Sequence, residues 1–106
     1  MRLFLYGTLL RPSLIARFAG RRVAMTPAAL RGWRRVRLRG TAFPTLRRAP
    51  GQVAGAVMDA DAATLHRLAA YEGVRYRLQS VIVRTVRGPL PAHAWIAAAA
   101  THRPWP

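Results

Sequence analysis

From Leu30 to Leu38 apolar residues alternate with charged or small ones, most strictly through Arg35-Val36-Arg37-Leu38-Arg39. A period of two places the arginines on one face of an extended strand and the apolar side chains on the other, which is the signature of a half-buried strand. The chain is therefore expected to build a sheet with one wet face, and the rest of the sequence has to supply a layer for the dry one. With 106 residues, of which 52% are hydrophobic, there is room for one domain around one core.

Turn residues divide the remainder into short elements. Leu3-Phe4-Leu5 reads as a first strand running into Tyr6-Gly7-Thr8-Leu9-Leu10, where the glycine marks a turn or a close approach. Pro12 suits the first turn of a helix whose apolar face is Leu14, Ile15 and Phe18, and Gly20 stops it. Phe43-Pro44-Thr45-Leu46 is expected to be a loop or an edge strand, because Pro44 has no N–H for a ladder. Gln52 to Met58 reads as a strand in which Gly55 allows close packing or a bend. Asp61 is the expected cap of a second helix carrying Leu65, Leu68, Ala69 and Tyr71, with Gly73 as its stop. Val81 to Val86 and Ala92 to Ala97 then form a hairpin about Arg87-Gly88-Pro89. Residues 1–100 make the domain, and 101–106 read as a loosely held tail.

Composition excludes several classes. No apolar run approaches the roughly 20 residues that cross a bilayer, and MRLFLYGTLL lacks the length and flanks of a secretory signal, so a cytoplasmic protein without a membrane partner is expected. There are no cysteines, and His66, His93 and His102 show no ligand spacing, so neither disulfide nor structural metal is expected. A formal charge of +15 invites nucleic acid. However, all 18 basic residues are arginine and they are spread along the chain, as codon bias would leave them. The solvated face of a strand accounts for the densest run, and nucleic acid is not the expected partner.

Against this background stands a single glutamate, Glu72, between Tyr71 and Gly73; the other two acids are Asp59 and Asp61. Its expected place is the C-terminus of the second helix, where the negative end of the helix dipole disfavours an ionised carboxylate and raises its pKa toward the range useful in proton transfer.

Taken in order, Leu3-Phe4-Leu5-Tyr6-Gly7-Thr8-Leu9-Leu10, Phe43-Pro44-Thr45, Val53-Ala54-Gly55-Ala56-Val57 and Leu65 to Tyr76, with its Tyr71-Glu72-Gly73 core, resemble the gamma-glutamylcyclotransferase-like family. The resemblance runs from Arg2 to about Ala97. It implies an α+β single domain, with a mixed, barrel-like sheet and two principal flanking helices. It also implies an enzyme that cyclises a gamma-glutamyl amine, amide or peptide to 5-oxoproline and a free amine, with no cofactor. In similar enzymes a glutamate is the general acid/base, which maps onto Glu72. The tyrosine–glycine turn offers backbone N–H groups to the glutamyl head, which maps onto Tyr6, Gly7, Thr8 and Leu9. A site tyrosine maps onto Tyr76, with two readings equally open: a hydrogen bond to Glu72 or substrate, or a half-buried aromatic at the start of a strand. The implied partner is a small gamma-glutamyl substrate, and homodimers among relatives make a homodimer an open state here.

Two departures accompany the match. Leu78 stands where family members carry an arginine two residues after the tyrosine, leaving Arg77 as a substitute only with a shifted register. Trp95 replaces an aromatic that is often tyrosine. His66 reads as a surface residue, and Trp33 and Trp95 as core or pocket wall. Two other readings of the chain stay open at this stage: a binding protein for a small carboxylated metabolite on the same scaffold, and a basic nucleic-acid-associated protein.

Overall fold

The computed structural model describes all 106 residues. Six strands and two helices follow in the order β1 (Arg2–Leu5), α1 (Pro12–Ala19), β2 (Thr26–Leu38), β3 (Pro44–Asp59), α2 (Ala62–Glu72), β4 (Tyr76–Thr85), β5 (Gly88–Ala97) and β6 (Ala100–Pro104), with a 3-10 turn at Thr8–Leu10 between β1 and α1. The sheet runs β3-β1-β5-β4-β2-β6, and a further pairing of β3 with β2 closes the first five strands into a barrel with β6 outside it. Only β1 and β5 are parallel; every other pair is antiparallel. This is the mixed barrel with two helices expected of an α+β single domain.

The continuous apolar run of β1 is explained by burial on both of its faces. Phe4 and Tyr6 point into the barrel with Leu30, Trp33, Leu46, Val53, Val57, Val81 and Val83. Leu3 and Leu5 point outward and pack with Met58, Ala60, Ile15 of α1 and Leu68 of α2. Both helices thus cover the outer side of β1 and β3. Pro12 opens α1 and Gly20 closes it in the left-handed region at φ 71°. Asp61 caps α2 by accepting a hydrogen bond from the Thr64 N–H at 2.8 Å.

The barrel is closed mainly by β2 and β3, which are paired from Thr26↔Val57 to Arg37↔Pro44 with an irregularity between Arg31 and Trp33. Gly55 lies where β1 crosses close by: a Cβ there would overlap the Leu5 carbonyl oxygen and meet the Phe4 ring at 2.9 Å, so no side chain fits. Val36 and Leu38 are buried while Arg37 and Arg39 are exposed, as the alternation requires.

Three segments differ from the sequence reading. Of the loop and edge-strand readings of residues 44–46 the strand holds: they pair with β2 alone and start β3, one 16-residue strand in place of two pieces. Pro44 is its first residue, the position in a strand where a missing N–H is tolerated. The hairpin turn is Val86-Arg87, with Gly88 and Pro89 already inside β5. The third is the C-terminal segment. Far from being loosely held, it forms β6, pairing Leu38↔Ala100 and Val36↔Pro104, and the Trp105 indole N–H donates to the Ala42 carbonyl at 2.8 Å. The exposed backbone of β2 gives it a ladder to join, which is a long-range reason invisible in the tail's own composition.

Candidate active site

Four parts of the chain meet over the end of β1: the turn that follows it, the C-terminus of α2, the first residue of β4 and the first residue of β3. They enclose a cavity of about 180 Å³ lined by Tyr6, Gly7, Thr8, Leu9, Glu72 and Tyr76, among others. Every residue singled out from the sequence as a site candidate therefore faces one space.

The turn is built by local bonds. The Leu10 N–H donates to the Gly7 carbonyl at 3.0 Å and the Arg11 N–H to the Thr8 carbonyl at 3.2 Å. The N–H groups of Gly7, Thr8 and Leu9 lie outside these bonds, as the first amides of any helical turn must. Gly7 has φ −133° and ψ −137°, outside the left-handed region. Its side chain is excluded by a neighbour instead: a Cβ would stand 2.8 Å from Pro44 Cγ. The close approach of Pro44 is thus what keeps a side chain out of this position. The Thr8 hydroxyl lies 3.3 Å from the Tyr71 hydroxyl, joining the turn to α2.

Glu72 is the last residue of α2 and is half-buried. Burial pushes its carboxyl up to about 7, because the cavity wall replaces the water that would stabilise the anion. The direction of shift is the one expected, and desolvation is its cause. No arginine opposes it, since none lines the cavity.

Two tyrosines frame the carboxyl. The Tyr6 hydroxyl is buried and donates to the Trp95 carbonyl at 2.5 Å. The Tyr76 hydroxyl donates to the Pro44 carbonyl at 2.5 Å, and Tyr76 is the half-buried first residue of β4, the second of the two readings open from sequence. Burial first, and then the Glu72 charge, raise both phenols, Tyr76 to about 12. Both hydroxyls therefore stay protonated at neutral pH and hold backbone carbonyls. Tyr76 ties the start of β3 to the start of β4.

Leu78, at the place of the absent arginine, packs against the apolar cluster beneath the helices. Arg77 is exposed opposite Ile96 on β5, and neither residue lines the cavity. No register shift brings Arg77 in. His66 is exposed, Trp33 lies in the barrel core, and Trp95 is both core and cavity wall.

The sequence reading left out Phe43, Pro44 and Tyr71 as wall residues. Phe43 and Tyr71 are 57% and 44% exposed, far more than core aromatics, so they form the rim. A phenylalanine immediately before a proline, outside any apolar periodicity, was the available signal. Tyr71 was masked by its helical spacing.

Chemically, the cavity combines one carboxyl poised near neutrality, a run of free amides and an otherwise mostly apolar wall. Such a site can accept and return a proton while holding a small acyl compound.

Comparison with known proteins agrees with this geometry. The family model described as "Gamma-glutamyl cyclotransferase, AIG2-like" matches residues 3–105. A solution structure from Arabidopsis thaliana superposes with a TM-score of 0.80 at 26% identity, covering 91% of this chain and 61% of that one. A structure titled gamma-glutamyl cyclotransferase gives 0.81 at 21%, covering 94% and 68%. An uncharacterized protein of Homo sapiens gives 0.80 at 22%, with the same coverage of 94% and 68%. The chain thus spans about three fifths of the length of the Arabidopsis relative. A comparison with curated protein sequences gives no match. With the family model covering nearly its whole length, and the barrel, helices and cavity arranged as described, the chain belongs to the gamma-glutamyl cyclotransferase, AIG2-like family.

Proposed function

We propose that this chain converts a gamma-glutamyl amine, amide or peptide into 5-oxoproline and a free amine, with Glu72 as the general acid and base. The observation that carries the reading is Glu72 itself. It is the sole acid lining the cavity, its carboxyl is pushed up to about 7, and it shares that cavity with the Tyr6–Leu9 turn.

The reaction needs little else. The substrate's α-amine attacks the carbonyl carbon of its own side-chain amide, forming the ring C–N bond. Glu72 as carboxylate takes the proton released from that nitrogen. The oxyanion that develops is met by backbone N–H groups of the turn, which carry the positive ends of peptide dipoles and need no reorganisation. When the tetrahedral centre collapses, the bond to the departing nitrogen breaks and protonated Glu72 returns the proton to it. The cavity's main contribution is to hold the substrate folded on itself, which removes much of the entropic barrier to ring closure.

The wall also bears on the leaving group. In a chain with 18 arginines none reaches this cavity, and Phe43, Pro44 and Tyr71 at the side give it an apolar character. That arrangement favours a neutral, apolar amine over one bearing a carboxylate. The test is 5-oxoproline release, followed by mass spectrometry, from gamma-glutamyl alkylamines, gamma-glutamyl amino acids and glutathione. Release is expected with the alkylamines as preferred substrates; equal or better turnover of glutathione would contradict the assignment of the leaving group, and no release from any compound would sink the enzymatic reading.

A non-catalytic metabolite-binding role has one observation in its favour, Leu78 in place of the arginine. It requires that Glu72→Gln leave ligand binding intact in a protein that turns nothing over.

A further inference from the structure

A second cleft, of about 400 Å³, opens where β2, β3 and the C-terminal strand meet, and its polar lining is Arg34, Arg35, Arg47, Gln52 and His102. Trp105 forms one wall. It is fixed in place, because its indole N–H holds the Ala42 carbonyl and its ring lies 5.3 Å beneath the Arg35 guanidinium.

Two features separate these arginines from the solvated ones elsewhere on the barrel. Arg34 and Arg47 stand directly opposite each other in the β2–β3 ladder, and like charges in that position repel. No Asp or Glu side chain offsets them. Asp59 ends β3, Asp61 caps α2, Glu72 lies in the other cavity, and none lines this cleft. Moreover, the Nε atoms of Arg35 and Arg47 are buried without any hydrogen-bond acceptor. Arg34 gives its own Nε–H to the Pro50 carbonyl at 2.9 Å, and Arg35 gives Nη1–H to the Tyr6 carbonyl at 2.7 Å, so the protein supplies acceptors to only part of the cluster. Each guanidinium carries five donors in a fork that matches phosphate oxygens.

We propose that this cleft binds a compact phosphate-type polyanion, of diphosphate size, clamped between the opposed Arg34 and Arg47 guanidiniums beside Arg35. A small anion fits better than a nucleic-acid strand because Arg34, Arg35 and Arg47 line one cleft, whereas a strand needs cationic groups laid out along a track. Such a ligand supplies the missing acceptors and cancels the cross-strand repulsion at once. Arg35 places the site directly behind the Tyr6–Gly7 turn.

The test is calorimetric titration of the full chain with sodium pyrophosphate, against sodium chloride of matched ionic strength, with a single-stranded oligonucleotide as a separate arm. Saturable one-to-one pyrophosphate binding is expected. Arg34→Gln/Arg47→Gln should weaken it by about a hundredfold, roughly tenfold for each guanidinium removed from the anion. The exposed pair Arg31→Gln/Arg84→Gln should leave it within about twofold. Arg47→Glu places an acid opposite Arg34; it should abolish binding while raising the thermal midpoint of the free protein, which separates loss of the site from loss of the fold. Pyrophosphate binding no stronger than chloride, equal weakening by the Arg31/Arg84 pair, or tight binding confined to the oligonucleotide would each overturn the proposal.

Discussion

Burial holds the Glu72 carboxyl at about 7, so folding is linked to its protonation. Between the usual carboxylate value of 4.5 and about 7, the folded chain binds this proton more tightly than the unfolded chain. The stabilisation belonging to the protonated form is complete below the unfolded value and is lost as pH rises through about 7. Glu72→Gln keeps the shape and removes the charge. Its thermal midpoint should therefore exceed that of wild type at about pH 8 and approach it at about pH 4, as thermal melts across that range would show. A constant difference at every pH would mean that the carboxyl is not buried as described. The same property that destabilises the ionised protein is the one that the proposed role as a base near neutrality requires.

At the level of elements, the cavity depends on the start of β3 being held against β5. Thr45 does this from a fully buried position: its hydroxyl donates to the Ala97 carbonyl at 3.0 Å and accepts from the Ala97 N–H at 2.9 Å. Thr45→Val keeps the volume and orphans both backbone groups. It should lower stability by about 1–3 kcal/mol in denaturant unfolding, and, by loosening Pro44, reduce turnover more than Leu46→Val, which only trims the barrel core. Thr45 illustrates what the sequence hides. Phe43-Pro44-Thr45 was legible as a motif, but its proline left a loop or an edge strand open, and only the pairing with β2 and the bond to Ala97 decide for the strand. β1 and both helices were legible because Pro12, Gly20, Asp61 and Gly73 act on their immediate neighbours. The placement of Tyr6 to Leu9, Glu72 and Tyr76 about one cavity was legible only through the joint motif, since no local rule brings residue 6 to residue 72. Arg35 and Trp105 went unrecognised as partners for the same reason: they meet only because β6 joins β2.

Across the whole molecule, closure of the barrel is what turns these separate segments into a site, and β6 supports it from outside. Val36 and Leu38, both buried, lie on the stretch of β2 that β6 covers. Truncation after Ala99 should uncover them and cost about 3 kcal/mol or more in chemical unfolding, where a loosely attached tail would leave stability unchanged. No basic residue lines the cavity beside Glu72. The central claim is that one carboxylate carries both proton transfers, and the most direct measurement compares turnover with binding. 5-Oxoproline release from a gamma-glutamyl alkylamine should fall by about 10²–10⁴-fold in Glu72→Gln while the affinity for the unreacted substrate changes little. Turnover by Glu72→Gln within about tenfold of wild type, with binding intact, would contradict the claim and move the proton transfers to another group.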